Sequence, residues 1–104
     1  MKIAITSEGN TLDSKIDARF GRASYFAVYD KETDKVEFFV NEGKEAPEGA
    51  GPAAVQFIAN KGASKAVSGE FGFKIKSLLE DLEIQMIVMK EQKTIAEIIA
   101  LLKN

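Results

Sequence analysis

The sequence predicts a single α/β domain: a mixed five-stranded sheet carrying three helices, in the order β-β-β-α-β-α-β-α. Three observations lead there. The first half holds three short runs rich in β-branched or aromatic residues, two of them separated only by a polar turn. The second half alternates strand-like and helix-like periodicity, which implies right-handed crossovers and parallel strands. With 104 residues, 45% hydrophobic and 29% charged, the chain has the size and composition of one globular domain, residues 1–104.

Each element has its own signal. Ile3–Thr6 is a short apolar run stopped by "SEGN", and reads as a buried strand. "YFAVY" (Tyr25–Tyr29) and "VEFFV" (Val36–Val40) are strands, and the polar "DKETDK" between them makes a hairpin. "NEGKEAPEGAG" (Asn41–Gly51) is a polar, glycine-rich loop leading to Pro52, expected as the first residue of a helix because its missing N–H would be unpaired there anyway. Ala53, Ala54, Phe57, Ile58 and Ala59 give that helix an apolar face, and Gly62 ends it.

A short strand, Lys65–Val67, ends at Ser68-Gly69, after which Phe71, Ile75, Leu78, Leu79 and Leu82 recur at helical spacing. "IQMIVM" (Ile84–Met89) is apolar on both faces and predicts a central strand covered on both sides, with Met86 and Met89 filling core. "TIAE" (Thr94–Glu97) is a capping box opening an amphipathic helix through Ile95, Ile98, Ile99 and Leu102. If the second strand pairs antiparallel with both the first and the third, the sheet order is 3-2-1-4-5.

Composition narrows the function. A net charge of −2 argues against nucleic-acid binding and against electrostatic attachment to anionic membranes. Without cysteine there is no disulfide, thiolate nucleophile or thiolate-held iron–sulfur cluster. Without histidine the usual imidazole base and the commonest transition-metal ligand are gone. No serine sits in a GxSxG elbow, and the first strand, "KIAIT", brings no carboxylate for two-metal nuclease chemistry. The chain is therefore expected not to be an enzyme. The apolar run in "MKIAITSEGN" is too short for a signal peptide, and no run reaches membrane-spanning length, so a cytoplasmic protein is expected.

A binding site is expected beyond the carboxyl ends of the parallel strands, where the first and fourth strands send the chain in opposite directions. That edge gathers the end of the first strand at Thr6-Ser7, the end of the fourth at Ser68-Gly69-Glu70, the second strand's entry at Phe20, Gly21, Arg22 and Ala23, and the Gly49-Ala50-Gly51 helix entry; Ser68 and Gly69 are the candidates from the fourth strand. Arg19 and Arg22 would flank a helix N-terminus with free N–H groups, a combination that favours anions. Plainer roles stand beside this one. Either arginine can be a solvated surface charge, Gly21 can serve a turn, and the Gly49–Gly51 run can be loop flexibility, since no P-loop lysine follows. Asp13 and Asp17 read as solvated loop acids, and no metal site is expected.

"MKIAI", "ARFGRASYFAVYD" and "EGAGPAAVQFIANKGA", followed by a helix-strand-helix tail, resemble the dinitrogenase iron–molybdenum cofactor biosynthesis family over nearly the whole chain. The resemblance implies a ribonuclease H-like α/β fold. It also implies a non-enzymatic role in binding or carrying an anionic metal–sulfur cofactor or precursor, such as an iron–molybdenum cluster held non-covalently, with cofactor-assembly proteins as partners. Phe20–Ala23 and Gly49–Gly51 would line the cluster site. Family members often carry histidine immediately before the phenylalanine of "FGRA", where this chain has Arg19, so any cluster would rest on charge-assisted hydrogen bonds instead of an imidazole. An anionic metabolite bound without metal, and protein docking through the hairpin's exposed strand, are the alternative readings.

Overall fold

In the computed structural model, which describes residues 1–103, a single sheet forms the spine of the molecule. In chain order the elements are β1 (Lys2–Ser7), β2 (Tyr25–Asp30), β3 (Lys35–Val40), α1 (Ala50–Asn60), β4 (Ala63–Ser68), α2 (Phe73–Asp81), β5 (Gln85–Val88) and α3 (Ile95–Leu102). The sheet order is β3-β2-β1-β4-β5, with β2 antiparallel to β1 and β3, and β4 parallel to β1 and β5, as the sequence pattern predicts.

The strands' two-residue alternation sorts the core into two layers. Ala4, Phe26 and Ala66 face α1 and α2, meeting Ala54, Val55, Ile58 and Leu79. Ile3, Ile5, Ala27, Tyr29 and Val67 face the other way, onto Ile16 and the Ile95, Ile98 and Ile99 stripe of α3. The capping box of α3 is formed: the Thr94 hydroxyl accepts from the Glu97 N–H, and the Glu97 carboxylate accepts from the Thr94 N–H.

Three expectations need correction. Helix α1 begins at Ala50, two residues before Pro52, because Gly49 takes φ 76° and turns the chain into the helix from the left-handed region. Pro52 still lies in the first turn, where no intrahelical donor is required of it. Phe71 is core but precedes α2, which starts at Phe73. Strand β5 is an edge strand, not a central one: among the described residues only β4 pairs with it, Met86 and Ile87 are half-buried, and Val88 is 53% exposed. The expected cover on both faces is present, with Met86 against the α1 and α2 core and Ile87 and Met89 against the α3 core, so an apolar run reports that cover and not the number of neighbouring strands.

The β2–β3 turn carries a pH-sensitive cluster. Asp34, at φ 59°, accepts a hydrogen bond from the Tyr29 hydroxyl at 2.8 Å and an ion pair from Lys103 Nζ at 3.1 Å. The Tyr29 bond first, then Lys103, holds the Asp34 carboxyl below its ordinary range; burial first, then the bond to Asp34, pushes the Tyr29 hydroxyl above 10.0. A lowered acid contributes stability that is complete above its unfolded pKa and lost as pH falls through the folded one. A raised tyrosine contributes below its unfolded pKa and loses that contribution as pH climbs through the folded value. Denaturant titrations from about pH 5 to pH 3 should therefore show a shallower acid loss in Asp34→Asn than in the parent. Equal slopes would mean that the pair is not formed in solution.

Candidate functional site

At the carboxyl ends of β1 and β4 the chain makes its tightest loop contacts, and Asp17 organises them. Its backbone is stitched to Thr6: the Asp17 N–H donates to the Thr6 carbonyl at 3.0 Å, and the Thr6 hydroxyl donates to the Asp17 carbonyl at 2.7 Å. The carboxylate accepts from the backbone N–H of Arg19 at 3.1 Å and of Ser24 at 3.3 Å. Asp17 is thus a buried staple between β1 and the segment leading into β2, rather than a solvated acid. From the other side, Asn41 Nδ2 donates to the carbonyls of Gly21 at 3.0 Å and Ala23 at 2.9 Å. Phe20 fills the space beneath, its ring 5.7 Å from Phe26 and 5.4 Å from Phe71.

The glycines let backbones meet. A Cβ on Gly21 would lie 2.9 Å from the Gly51 Cα and 3.0 Å from its nitrogen, so the loop rests directly on the start of α1. A Cβ on Gly51 would in turn strike the Ile75 side chain at 2.8 Å. What comes close to Gly21 is thus the protein's own backbone.

The result is a cleft of ≈350 Å³ lined by Arg19, Phe20, Gly21 and Arg22 on one side, Gly49, Ala50 and Gly51 on the second, and Glu70, Gly72 and Ile75 on the third. Seven of the ten residues singled out from the sequence line it. The other three do not: Ala23 and Ser68 are fully buried, and Gly69 lies against Ala18, where a Cβ would come within 2.7 Å of the Ala18 Cα. The Ser68 hydroxyl has no hydrogen-bond partner among the described residues. Sequence reasoning missed Gly72 and Ile75, because the helical spacing counted from Phe71 hid the true start of α2. A glycine ahead of "FKIK" was the available signal.

Two helices point their N-termini at this cleft, and both are bare. Gly49 caps α1 and Gly72 caps α2; neither offers a side chain to the orphan N–H groups, and neither helix has an acid in its first turn. In α2 the first turn carries Lys74 and Lys76, which add to the positive helix end instead of offsetting it. Helix α3, away from the cleft, has the complete cap and the acid that the other two lack. Among lining side chains, two arginines stand against one glutamate.

The arginines are not equivalent. Arg22 Nη1 donates to the carbonyls of Lys44 at 2.8 Å and Ala46 at 2.7 Å, tying down the loop before α1. Arg19 is the more exposed charge: its side chain is 55% exposed, and its Nε is 3.7 Å from the Asp17 carboxylate. Phe73, 90% exposed, opens α2 directly after the lining residue Gly72. Among the described residues no group of acidic side chains is placed to hold a metal ion, and no helix is long and apolar enough to cross a membrane.

A family model described as dinitrogenase iron–molybdenum cofactor matches residues 1–104. The chain belongs to that family. Its fold is that of two solved structures similar to it. The apo form of the orange protein from Desulfovibrio gigas superposes with a TM-score of 0.91 at 33% identity, over 97% of this chain and 85% of that one. A Thermotoga protein described as NifB-like and assigned to the DUF35 family superposes with a TM-score of 0.84 at 31% identity, again over 97% of this chain and 85% of that one. No curated protein matches the chain.

Proposed function

We propose that this protein is a non-enzymatic carrier that binds an anionic metal–sulfur cofactor, or a precursor of one, in the cleft between the N-termini of α1 and α2. The observation that carries the reading is the convergence of two uncapped helix N-termini, with Arg19 and Arg22 beside them, in one cleft. Helix ends left without capping side chains and reinforced by cations are sites for anions. The family supports a cofactor of the iron–molybdenum type, and the orange protein structure is of an apo form, a term used for a protein without its ligand.

The lining also suits such a cargo. Phe20 beneath and Ile75 at the side give the cleft apolar surface next to its helix N-termini and arginines, which fits a large anion of diffuse charge better than a strongly hydrated one. No histidine or cysteine is available to ligate, so the hold is by hydrogen bonds and charge, and is reversible. Reversibility is what a carrier requires when it passes its cargo to assembly proteins.

Anaerobic titration with tetrathiomolybdate, with inorganic phosphate and citrate in parallel, tests this. Binding of the thiometallate, weakened about tenfold by Arg19→Ala, is expected. Preference for phosphate or citrate would move the reading to a sensor of anionic metabolites, and binding of none would overturn it. Arg19 is the better probe because changing Arg22 also releases the loop at Lys44 and Ala46.

A further inference from the structure

We propose that two copies of the chain join edge to edge through β3, antiparallel, with Phe38 opposite Phe38 on a two-fold axis, to make a continuous ten-stranded sheet. Strand β3 ends the sheet, six residues long and without proline or bulge, and among the described residues only β2 pairs with it. Such an edge is a template for another strand.

The hydrogen bonding of its inner side fixes what the outer side presents. The Asn41 N–H donates to the Ser24 carbonyl at 3.0 Å, in the register that pairs Tyr25 with Val40. Ser24 and Asn41 are therefore a bonded pair. By antiparallel alternation the N–H and C=O groups of Val36, Phe38 and Val40 point outward. The same phase follows from the far side of β2, where the Lys31 N–H donates to the Met1 carbonyl at 2.9 Å.

Few registers satisfy these three residues. Setting Phe38 opposite its copy places Val36 opposite the partner's Val40, so that all three outward positions of each strand are paired. Moving one step toward the turn sets Glu37 directly against Glu37, which like charge disfavours. Moving the other way runs the pairing into the loop after Val40.

The chosen register also matches the side chains. On the α3 face it joins Val36, Phe38 and Val40 into one apolar strip, covering Val40, which is 59% exposed in the single chain. The partner's Val40 comes beside Val36, which lines an apolar groove of ≈240 Å³ with Leu12 and Ile99. On the opposite face Glu37 comes directly opposite the partner's Phe39. In each chain Lys61 Nζ sits over the Phe39 ring, 4.2 Å from its centroid, so the incoming carboxylate meets an ammonium group. The contact is thus charge-complementary with itself. It lies apart from the cleft, and its failure would leave the carrier reading untouched.

Sedimentation equilibrium of the full chain, from micromolar to about 1 mM, tests the proposal. A reversible monomer–dimer equilibrium is expected, weakened at least about tenfold by Glu37→Lys and restored by the double change Glu37→Lys/Lys61→Glu. Val40→Lys, at an exposed position that should not disturb folding, should weaken it as well. A chain that stays monomeric across this range overturns the proposal, as does a dimer indifferent to Glu37→Lys and Val40→Lys.

Discussion

Asp17→Ala is expected to lower the unfolding free energy by roughly 2–4 kcal/mol and to loosen the cleft along with the fold. The carboxylate accepts two backbone N–H bonds, from Arg19 and Ser24. Hydrogen bonds to a charged acceptor contribute about 1.5–3 kcal/mol each, and removing the acceptor leaves the donors unpaired in a largely dry setting. The loop that the two bonds hold carries Phe20, Gly21 and Arg22, one wall of the cleft. Denaturant melts should show the loss of stability. Exchange rates of the Arg19 and Ser24 amides should rise selectively beyond the global change. Asp17→Asn, which keeps one acceptor oxygen, should lose less. An alanine variant as stable as the parent would mean that Asp17 is not the staple described.

Gly21→Ala should cost about 1–3 kcal/mol, the usual range for forcing an extra methyl into closed packing. Here the obstacle is backbone: the methyl would meet the Gly51 Cα at 2.9 Å and its nitrogen at 3.0 Å, and neither can rotate away. The loop must lift from α1, and the cleft widens where the Ala50 and Gly51 amides face it. Anion binding should therefore fall by more than the stability loss explains. Gly43→Ala is a suitable control, because its nearest neighbours stand at an ordinary 3.7 Å. Parent-like binding in Gly21→Ala would remove the close approach from the account of the site.

These two residues show how legibility was distributed along the chain. The fold was readable because its signals are local: β-branched runs, a polar hairpin turn, helical spacing and the Thr94 capping box each act within a few residues. The switch point between β1 and β4 follows from topology, and topology alone brings Arg19–Arg22 and Gly49–Gly51 to one edge. What could not be read depends on contacts distant in sequence. Asp17 looks like any loop acid until Thr6, Arg19 and Ser24 are seen around it. Arg22 looks like a free cation until the Lys44 and Ala46 carbonyls take one of its nitrogens. The exposure of β5 was hidden because Met86 and Ile87 are as apolar as a central strand requires, while the number of neighbouring strands is a property of the whole sheet.

The central claim is that the bare N-termini of α1 and α2 hold an anion. Amide chemical-shift mapping during an anaerobic titration of the isotope-labelled protein with tetrathiomolybdate tests it most directly. Saturable shifts concentrated at Ala50, Gly51, Phe73 and Lys74, with Arg19 and Gly21 beside them, are the predicted result. Shifts that are absent, that spread evenly over surface lysines, or that centre on the hairpin turn at Asp34 and Lys103 would contradict it.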